Sequence, residues 1–135
     1  MLKSGCINPE IMKVLSLCGH GDKILIADGN YPLDSKSGNA PKVYLGVSSG
    51  IPTVTQVLEA LLGNIVVEKA EVMLPGDGST PEIFPEFEKA LDGMKLDALG
   101  RYEFYDACCT EGVRLAISTG EKRTFANILI TVGVA

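Results

Sequence analysis

The chain has 135 residues and a mass of 14.3 kDa, which is the size of one domain. Its content of 46% hydrophobic and 21% charged residues predicts a packed core and argues against a disordered chain. A formal net charge of -5 disfavours binding to nucleic acid or to anionic membrane surfaces. The apolar runs are far shorter than the roughly 20 residues of a spanning helix, and the first residues do not read as a signal peptide, so we expect a cytoplasmic protein.

Apolar periodicity predicts helices and strands in alternation along the chain. Capping residues such as Asn8, followed by apolar residues at helical spacing, predict helices over 8–18, 52–62, 80–91 and 103–109. Short apolar or alternating runs predict strands over 22–28, 43–47, 66–74, 94–99, 113–119 and 128–132. Residues 29–42 are rich in glycine, proline, asparagine and serine, which predicts a loop that could cover a substrate. The alternation, without a linker or repeat, predicts a single α/β domain of three layers over residues 1–135.

The four cysteines, Cys6, Cys18, Cys108 and Cys109, are interpreted as free thiols of a reducing compartment. No C-x-x-C spacing is present, and the adjacent Cys108–Cys109 pair cannot easily form a bridge. The chain also has a single histidine. The sequence therefore predicts neither a disulfide framework nor a metal site.

The segment Gly19-His20-Gly21-Asp22 is the sharpest local feature of the sequence. Imidazole groups titrate near neutral pH, and the flanking glycines leave His20 uncrowded, which suits proton transfer to a ligand. Asp28 follows at the carboxyl end of the predicted strand, the end that faces the ligand crevice in α/β folds. Simpler interpretations stay open, because a histidine can interact with the dipole at a helix end and an aspartate can form a turn.

Two further segments carry polar side chains that could bind a ligand. Asn127 stands at the start of the last predicted strand, and its amide can both donate to and accept from sugar hydroxyls. Arg101 offers a fixed positive charge beside two phenols, Tyr102 and Tyr105. From the residues alone, an ordinary exposed loop is the favoured interpretation of 120–127, and a surface ion pair is the simpler one for Arg101.

In combination, these segments resemble the RbsD/FucU family, which comprises the D-ribose pyranases and L-fucose mutarotases. The resemblance covers essentially the whole chain, with the motifs in the family's order. It rests on Met1-Leu2-Lys3, Asn8-Pro9-Glu10, Gly19-His20-Gly21-Asp22 with Asp28, the run from Arg101 to Tyr105, Gly120-Glu121, and Phe125-Ala126-Asn127-Ile128-Leu129 with Gly133-Val134.

The resemblance implies an α/β sugar-binding fold, no metal or organic cofactor, and rings of five copies that stack into decamers with sites between neighbouring subunits. It implies His20 as the proton donor and Asp28 and Asn127 as sugar-binding residues. It also implies a sugar-binding role for Arg101, which is typical of the fucose-type branch. Position 125 departs from the family, because Phe125 stands where the family usually has tyrosine; its ring can still stack on a sugar face.

We therefore expect a cofactor-independent isomerase that interconverts the anomers, or the pyranose and furanose forms, of a free monosaccharide, with L-fucose as the favoured substrate. Its expected partners are that sugar and further copies of the chain. A D-ribose pyranase is the near alternative. A non-catalytic monosaccharide-binding protein of the same fold is the alternative of a different class, because Phe125 lacks the tyrosine hydroxyl.

Overall fold

Four α-helices and six β-strands make up the chain in a computed structural model that describes residues 1–135. The helices are α1 (Pro9–Leu15), α2 (Val54–Leu62), α3 (Phe84–Ala90) and α4 (Arg101–Cys108). The strands are β1 (Lys23–Ala27), β2 (Lys42–Tyr44), β3 (Val67–Met73), β4 (Leu96–Leu99), β5 (Val113–Ser118) and β6 (Ile128–Val132). The longest helix, α2, has nine residues, so none of the helices can span a lipid bilayer.

The six strands form one sheet in the order β2-β5-β1-β6-β3-β4. Pairing is parallel between β2 and β5, between β5 and β1, and between β3 and β4. The last strand, β6, runs antiparallel between β1 and β3. The carboxyl end of β1 therefore lies beside the amino end of β6, which brings two distant parts of the sequence together.

Both faces of the sheet are covered, which gives the three layers that the sequence predicts. Successive side chains of a strand point to opposite faces, so Ile24 and Ile26 of β1 enter a core formed with α1, α2 and α3. Leu25 and Ala27 enter a second core formed with α4 and with the loop 29–42. The predicted α/β fold is confirmed, and the loop 29–42 packs on the same face as α4.

Six element boundaries differ from the prediction by two to four residues, among them those of α3, α4 and β2. Helix α3 begins at Phe84 instead of residue 80, because Pro85 lacks an N–H group and fits only the first turn of a helix. Helix α4 begins at Arg101 instead of residue 103, which places this arginine in the first turn. Strand β2 ends early, at Tyr44, because its partner β5 ends at the paired residue Ser118.

Candidate functional site

Four of the five predicted site residues line one pocket at the carboxyl end of β1. Asp28, Arg101, Phe125 and Asn127 meet there around a volume of about 160 Å³, which we call the strand-end pocket. Asp28 directly follows β1 and Asn127 directly precedes β6. Because these two strands pair antiparallel, residues 99 positions apart in the sequence become neighbours.

Asp28 and Asn127 are buried and joined to each other through the backbone. The Asp28 N–H donates to Asn127 Oδ1 at 2.8 Å, which leaves Nδ2 as the donor end of that amide. The Asp28 carboxylate accepts from the N–H of Asn30 at 2.8 Å and from the N–H of Ala126 at 3.2 Å. Asp28 and Asn127 are only 2% and 3% exposed. One carboxylate and one amide are thus fixed in place before any ligand binds, and both can bond sugar hydroxyls.

Burial is the main influence on the pKa of the Asp28 carboxyl group. It raises the pKa of this carboxyl, against the smaller lowering effect of the backbone hydrogen bonds from Asn30 and Ala126. A desolvated acid with its orientation fixed by backbone donors suits a neutral polar ligand better than an anionic one. The exposed guanidinium of Arg101 supplies positive charge at the rim of the same pocket.

The segment 120–127 is not the ordinary exposed loop that its residues alone favour. Glu121, Ala126 and Asn127 are all less than 5% exposed. Phe125 has a φ of 57°, a left-handed conformation that is strained for a side chain with a Cβ atom. Strained backbone of this kind persists only where surrounding contacts hold it, and it is concentrated at functional sites.

Arg123 supplies the contacts that anchor this segment to the helical layer. Its Nε and one terminal nitrogen donate to the Glu121 carboxylate at 3.0 Å each, and its other terminal nitrogen donates to Glu86 on α3. Glu86 also accepts from the Thr55 hydroxyl on α2 at 2.8 Å. Hydrogen bonds from Arg123 lower the pKa of both Glu86 and Glu121, so the network remains ionised near neutral pH.

Arg101 contacts aromatic rings instead of an acid. Its Nε donates to the Tyr105 hydroxyl at 3.2 Å, and its guanidinium lies 5.6 Å from the ring centroids of both Tyr102 and Tyr105. Arg101 takes part in none of the salt bridges, so the interpretation of this residue as half of a surface ion pair is wrong. Cation–π contact with Tyr105, which also lines the pocket, holds the arginine at the rim.

Four lining residues were not identified from the sequence: Asn30, Tyr31, Met73 and Thr124. Tyr31 belongs to the loop 29–42, and its hydroxyl donates to the Lys36 carbonyl at 2.7 Å, which holds this loop beside the pocket. Proximity to Asp28 or Asn127 in the sequence was the available signal for three of the four. Met73 carries no such signal, because its place at the end of β3 depends on the order of strands in the sheet.

His20 lies at the other end of β1 and does not reach the strand-end pocket. The five residues of β1 separate the two places by about 17 Å at a rise of ~3.3 Å per residue. Residues 19–22 form a tight turn in which the Asp22 N–H donates to the Gly19 carbonyl at 3.1 Å and Gly21 has a φ of 91°. The side chain of His20 is 58% exposed, and its Nε2 lies 2.8 Å from Glu68 Oε2.

The polar surroundings of the strand-end pocket extend beyond its own lining. A second cavity of about 410 Å³ shares Asn30 with the pocket and is lined mainly by polar groups such as Ser48 and Lys122.

All four cysteines are free thiols, and no three histidine, cysteine, aspartate or glutamate side chains are grouped to hold a metal ion.

Comparison with known proteins shows what the chain is similar to. A model of the RbsD / FucU transport protein family matches residues 1–135. A D-ribose pyranase of Bacillus cytotoxicus is 31% identical over 134 residues, which cover 99% of this chain and 98% of that protein. The structure of Bacillus subtilis RbsD complexed with D-ribose matches with a TM-score of 0.86 at 27% identity, over 100% of this chain and 99% of that one. The fucose mutarotase of Streptococcus pneumoniae in complex with L-fucose matches with a TM-score of 0.82 at 26% identity, over 96% and 94% of the two chains. The family resemblance inferred from the motifs is confirmed.

Proposed function

The chain belongs to the RbsD/FucU family, and we propose that it is an isomerase that interconverts the ring forms of a free monosaccharide. The observation that carries this proposal is the convergence of Asp28, Arg101, Phe125 and Asn127 on one pocket. A carboxylate, an amide and a guanidinium can bond several hydroxyls at once, and an aromatic ring can stack on the apolar face of a sugar. The similar structures complexed with D-ribose and L-fucose support a monosaccharide as the ligand.

We place His20 in a site completed by two copies of the chain, because within one chain it cannot contact the strand-end pocket. Exposed apolar residues at both ends of the sheet support contact between copies. Leu17 is three residues before His20, and Val66 lines the same cavity as His20; they are 74% and 45% exposed. At the other end, Val47 and Ile51 are 82% and 57% exposed. A ring of five copies, or a decamer of two rings, is the assembly that the family resemblance implies.

The proposed reaction needs one proton to leave the anomeric hydroxyl and one to reach the ring oxygen. His20 accepts the hydroxyl proton as the bond between C1 and the ring oxygen breaks and C1 becomes a carbonyl carbon. The imidazolium then gives a proton to the ring oxygen, and rotation about C1–C2 followed by reclosure yields the other anomer. Asp28 and Asn127 hold hydroxyls, and Arg101 polarises an oxygen. Atoms and electrons balance within the sugar, so this reaction requires no cofactor.

We propose L-fucose as the first substrate. Besides Arg101, the pocket has Met73 and Phe125 in its lining, and their apolar surface suits the methyl group of a 6-deoxy sugar. D-ribose is the second candidate, supported by the name of the 31% identical relative. We place the chain in the cytoplasm, the reducing compartment that suits four free thiols.

Anomeric exchange measured by NMR on the purified protein tests the function directly. We expect faster exchange with L-fucose than with D-ribose, and no acceleration for an aldose that the pocket does not bind. Preferential acceleration with D-ribose would make the chain a D-ribose pyranase. Binding without acceleration for any sugar would contradict the enzyme and leave the non-catalytic sugar-binding protein, in which Phe125 marks the missing hydroxyl.

Co-assembly of two inactive variants tests the shared site. His20→Ala removes the proton-transfer group, and we expect it to lower exchange by about 10²–10⁴-fold. Asp28→Asn removes the charge of a sugar-binding residue, and we expect it to lower exchange by weakening the binding of the sugar. When the two variants are co-expressed with different tags and purified as mixed oligomers, some sites combine an intact His20 with an intact Asp28. Recovery of activity in the mixed oligomers is the expected result. Mixed oligomers that stay inactive would contradict the shared site.

A further inference from the structure

The imidazole of His20 is held by one side-chain contact. Its Nε2 lies 2.8 Å from Glu68 Oε2, and no other side chain bonds to the ring. The two side chains are 58% and 43% exposed, and ion pairs in such positions add little to the stability of a fold. The contact therefore has its main effect on the orientation of the ring.

Glu68 reaches His20 because of an irregularity in β3. Two successive residues of β6 pair with Val67 and Lys69, which leaves Glu68 as an extra residue with no partner opposite it. A bulge of this kind redirects a side chain out of the regular alternation, and bulges are frequent beside functional sites. The neighbouring Gly133 permits the arrangement, because a Cβ atom there would lie only 3.2 Å from the Cβ of Glu68.

We propose that Glu68 is a positioning residue that fixes the tautomer of His20, so that Nε2 keeps its proton and Nδ1 exchanges protons with the sugar. An ionised carboxylate only accepts hydrogen bonds, so a neutral imidazole that faces it must carry its proton on Nε2. Nδ1 is then the nitrogen with a free lone pair. This inference rests on the proposed function of His20 and adds the reacting atom and the partner that selects it.

The same contact acts again during ring opening. When Nδ1 accepts the anomeric proton, both ring nitrogens carry hydrogen and the positive charge faces the Glu68 carboxylate. The carboxylate stabilises this imidazolium without taking its proton, as the aspartate does in a serine–histidine–aspartate triad. Nδ1 then returns a proton to the ring oxygen, and the histidine is neutral again.

The tautomer can be measured without reference to activity. His20 is the one histidine of the chain, so labelling with ¹⁵N-histidine gives two ring signals free of overlap. Solid-state spectra are recorded at about pH 8.5, where free imidazole is neutral. We expect a protonated Nε2 in the wild type and in Glu59→Ala, a control at an exposed glutamate of α2. We expect mixed tautomers in Glu68→Ala. Identical ring spectra in Glu68→Ala and the wild type, or a protonated Nδ1 in the wild type, would overturn the proposal.

Kinetics separate positioning from a merely structural role. Glu68→Ala should lower kcat about 10- to 100-fold, as loss of a supporting partner commonly does, with KM little changed because Glu68 does not touch the sugar. Glu68→Gln keeps an acceptor oxygen, so it should retain the wild-type tautomer but recover kcat only in part. Equal kcat in Glu68→Ala and Glu59→Ala would overturn the proposal. A wild type that accelerates no exchange would instead refute the proposed function, and the ring spectra would still decide whether Glu68 selects the tautomer.

Discussion

The two ends of β1 carry the two halves of the proposed site, and they are built in opposite ways. At the carboxyl end, Asp28 is 2% exposed and its carboxylate is bonded by two backbone N–H groups. At the amino end, His20 is 58% exposed on a tight turn and has Glu68 as its one side-chain partner. The half that would bind sugar is therefore part of the folded core, whereas the half that would move protons is a surface feature whose value depends on a second copy.

Replacing His20 should produce the largest effect and should separate the two ends most clearly. In His20→Ala, we expect anomeric exchange to fall by about 10²–10⁴-fold because the proton-transfer group is lost. The free energy of unfolding should change by less than about 0.5 kcal/mol, since the side chain is exposed. Exchange NMR and urea unfolding measure the two quantities. An exchange rate equal to that of the wild type would contradict the proton-transfer role of His20.

Replacing Asp28 should show the opposite behaviour in stability. In Asp28→Ala, the N–H groups of Asn30 and Ala126 lose their acceptor, and we expect a loss of about 1–3 kcal/mol in the free energy of unfolding. Asp34→Ala, at an exposed aspartate of the loop 29–42, is the matched control and should be close to neutral. Urea unfolding measures both variants. If they proved equally stable, the contrast between the two ends of β1 would fail.

A tyrosine at position 125 should improve binding of the sugar at the carboxyl end of β1 without changing the stability of the fold. We expect Phe125→Tyr to raise kcat/KM for the preferred sugar by about two- to tenfold, the worth of one added hydrogen bond. Stability should stay unchanged, because either residue faces the same strain at a φ of 57°. Exchange rates at several sugar concentrations provide the measurement. An unchanged kcat/KM would show that the hydroxyl is not needed, for example because Tyr105 already supplies one.

The smallest effect concerns the pH dependence of the anchor beside the pocket. Arg123 lowers the pKa of Glu86 and Glu121, so their contribution to stability is complete above the pKa of a free glutamate, about 4.3. This contribution to stability is lost as the pH falls through the lowered pKa values of Glu86 and Glu121. Asp28 affects stability in the opposite direction. Its pKa is raised in the folded chain, so its ionisation at higher pH lowers the free energy of unfolding. We expect Arg123→Met to weaken the loss of stability between about pH 5 and pH 3, measured by urea unfolding across that range. An acid dependence equal to that of the wild type would contradict this account.

Local signals in the sequence were enough to predict most of the fold, whereas the residues of the proposed binding half came from the family resemblance. Asn8 does cap α1, with its side chain accepting from the N–H groups of Glu10 and Ile11. Asp28 and Asn127 each adjoin a strongly apolar strand, and the family resemblance implies a sugar-binding role for both. That these two residues meet could not be predicted, since it depends on the antiparallel pairing of β1 with β6.

The proposed proton-transfer half is less accessible to prediction because it depends on long-range geometry. His20 was identified from its flanking glycines, but Glu68 was not, because a bulge between distant strands has no signature in local periodicity. The sequence mispredicts the segment 120–127 for a similar reason. Its charged residues look solvated in the sequence, whereas Arg123 and Glu121 neutralise each other against α3.

Strand β6 has a consequence for how successive sites would be related in an assembly. Asn127 precedes this strand and enters the strand-end pocket, and Val132 at its far end bonds the turn of His20 through the backbone of Gly21 and Asp22. In a ring of copies, each proposed site would combine His20 of one copy with the strand-end pocket of the next. The five residues of β6 would then set the distance between two neighbouring sites. One inserted residue would turn every later side chain to the opposite face and misplace both ends together. The length of this strand is therefore as strict a requirement as any side chain of the proposed site.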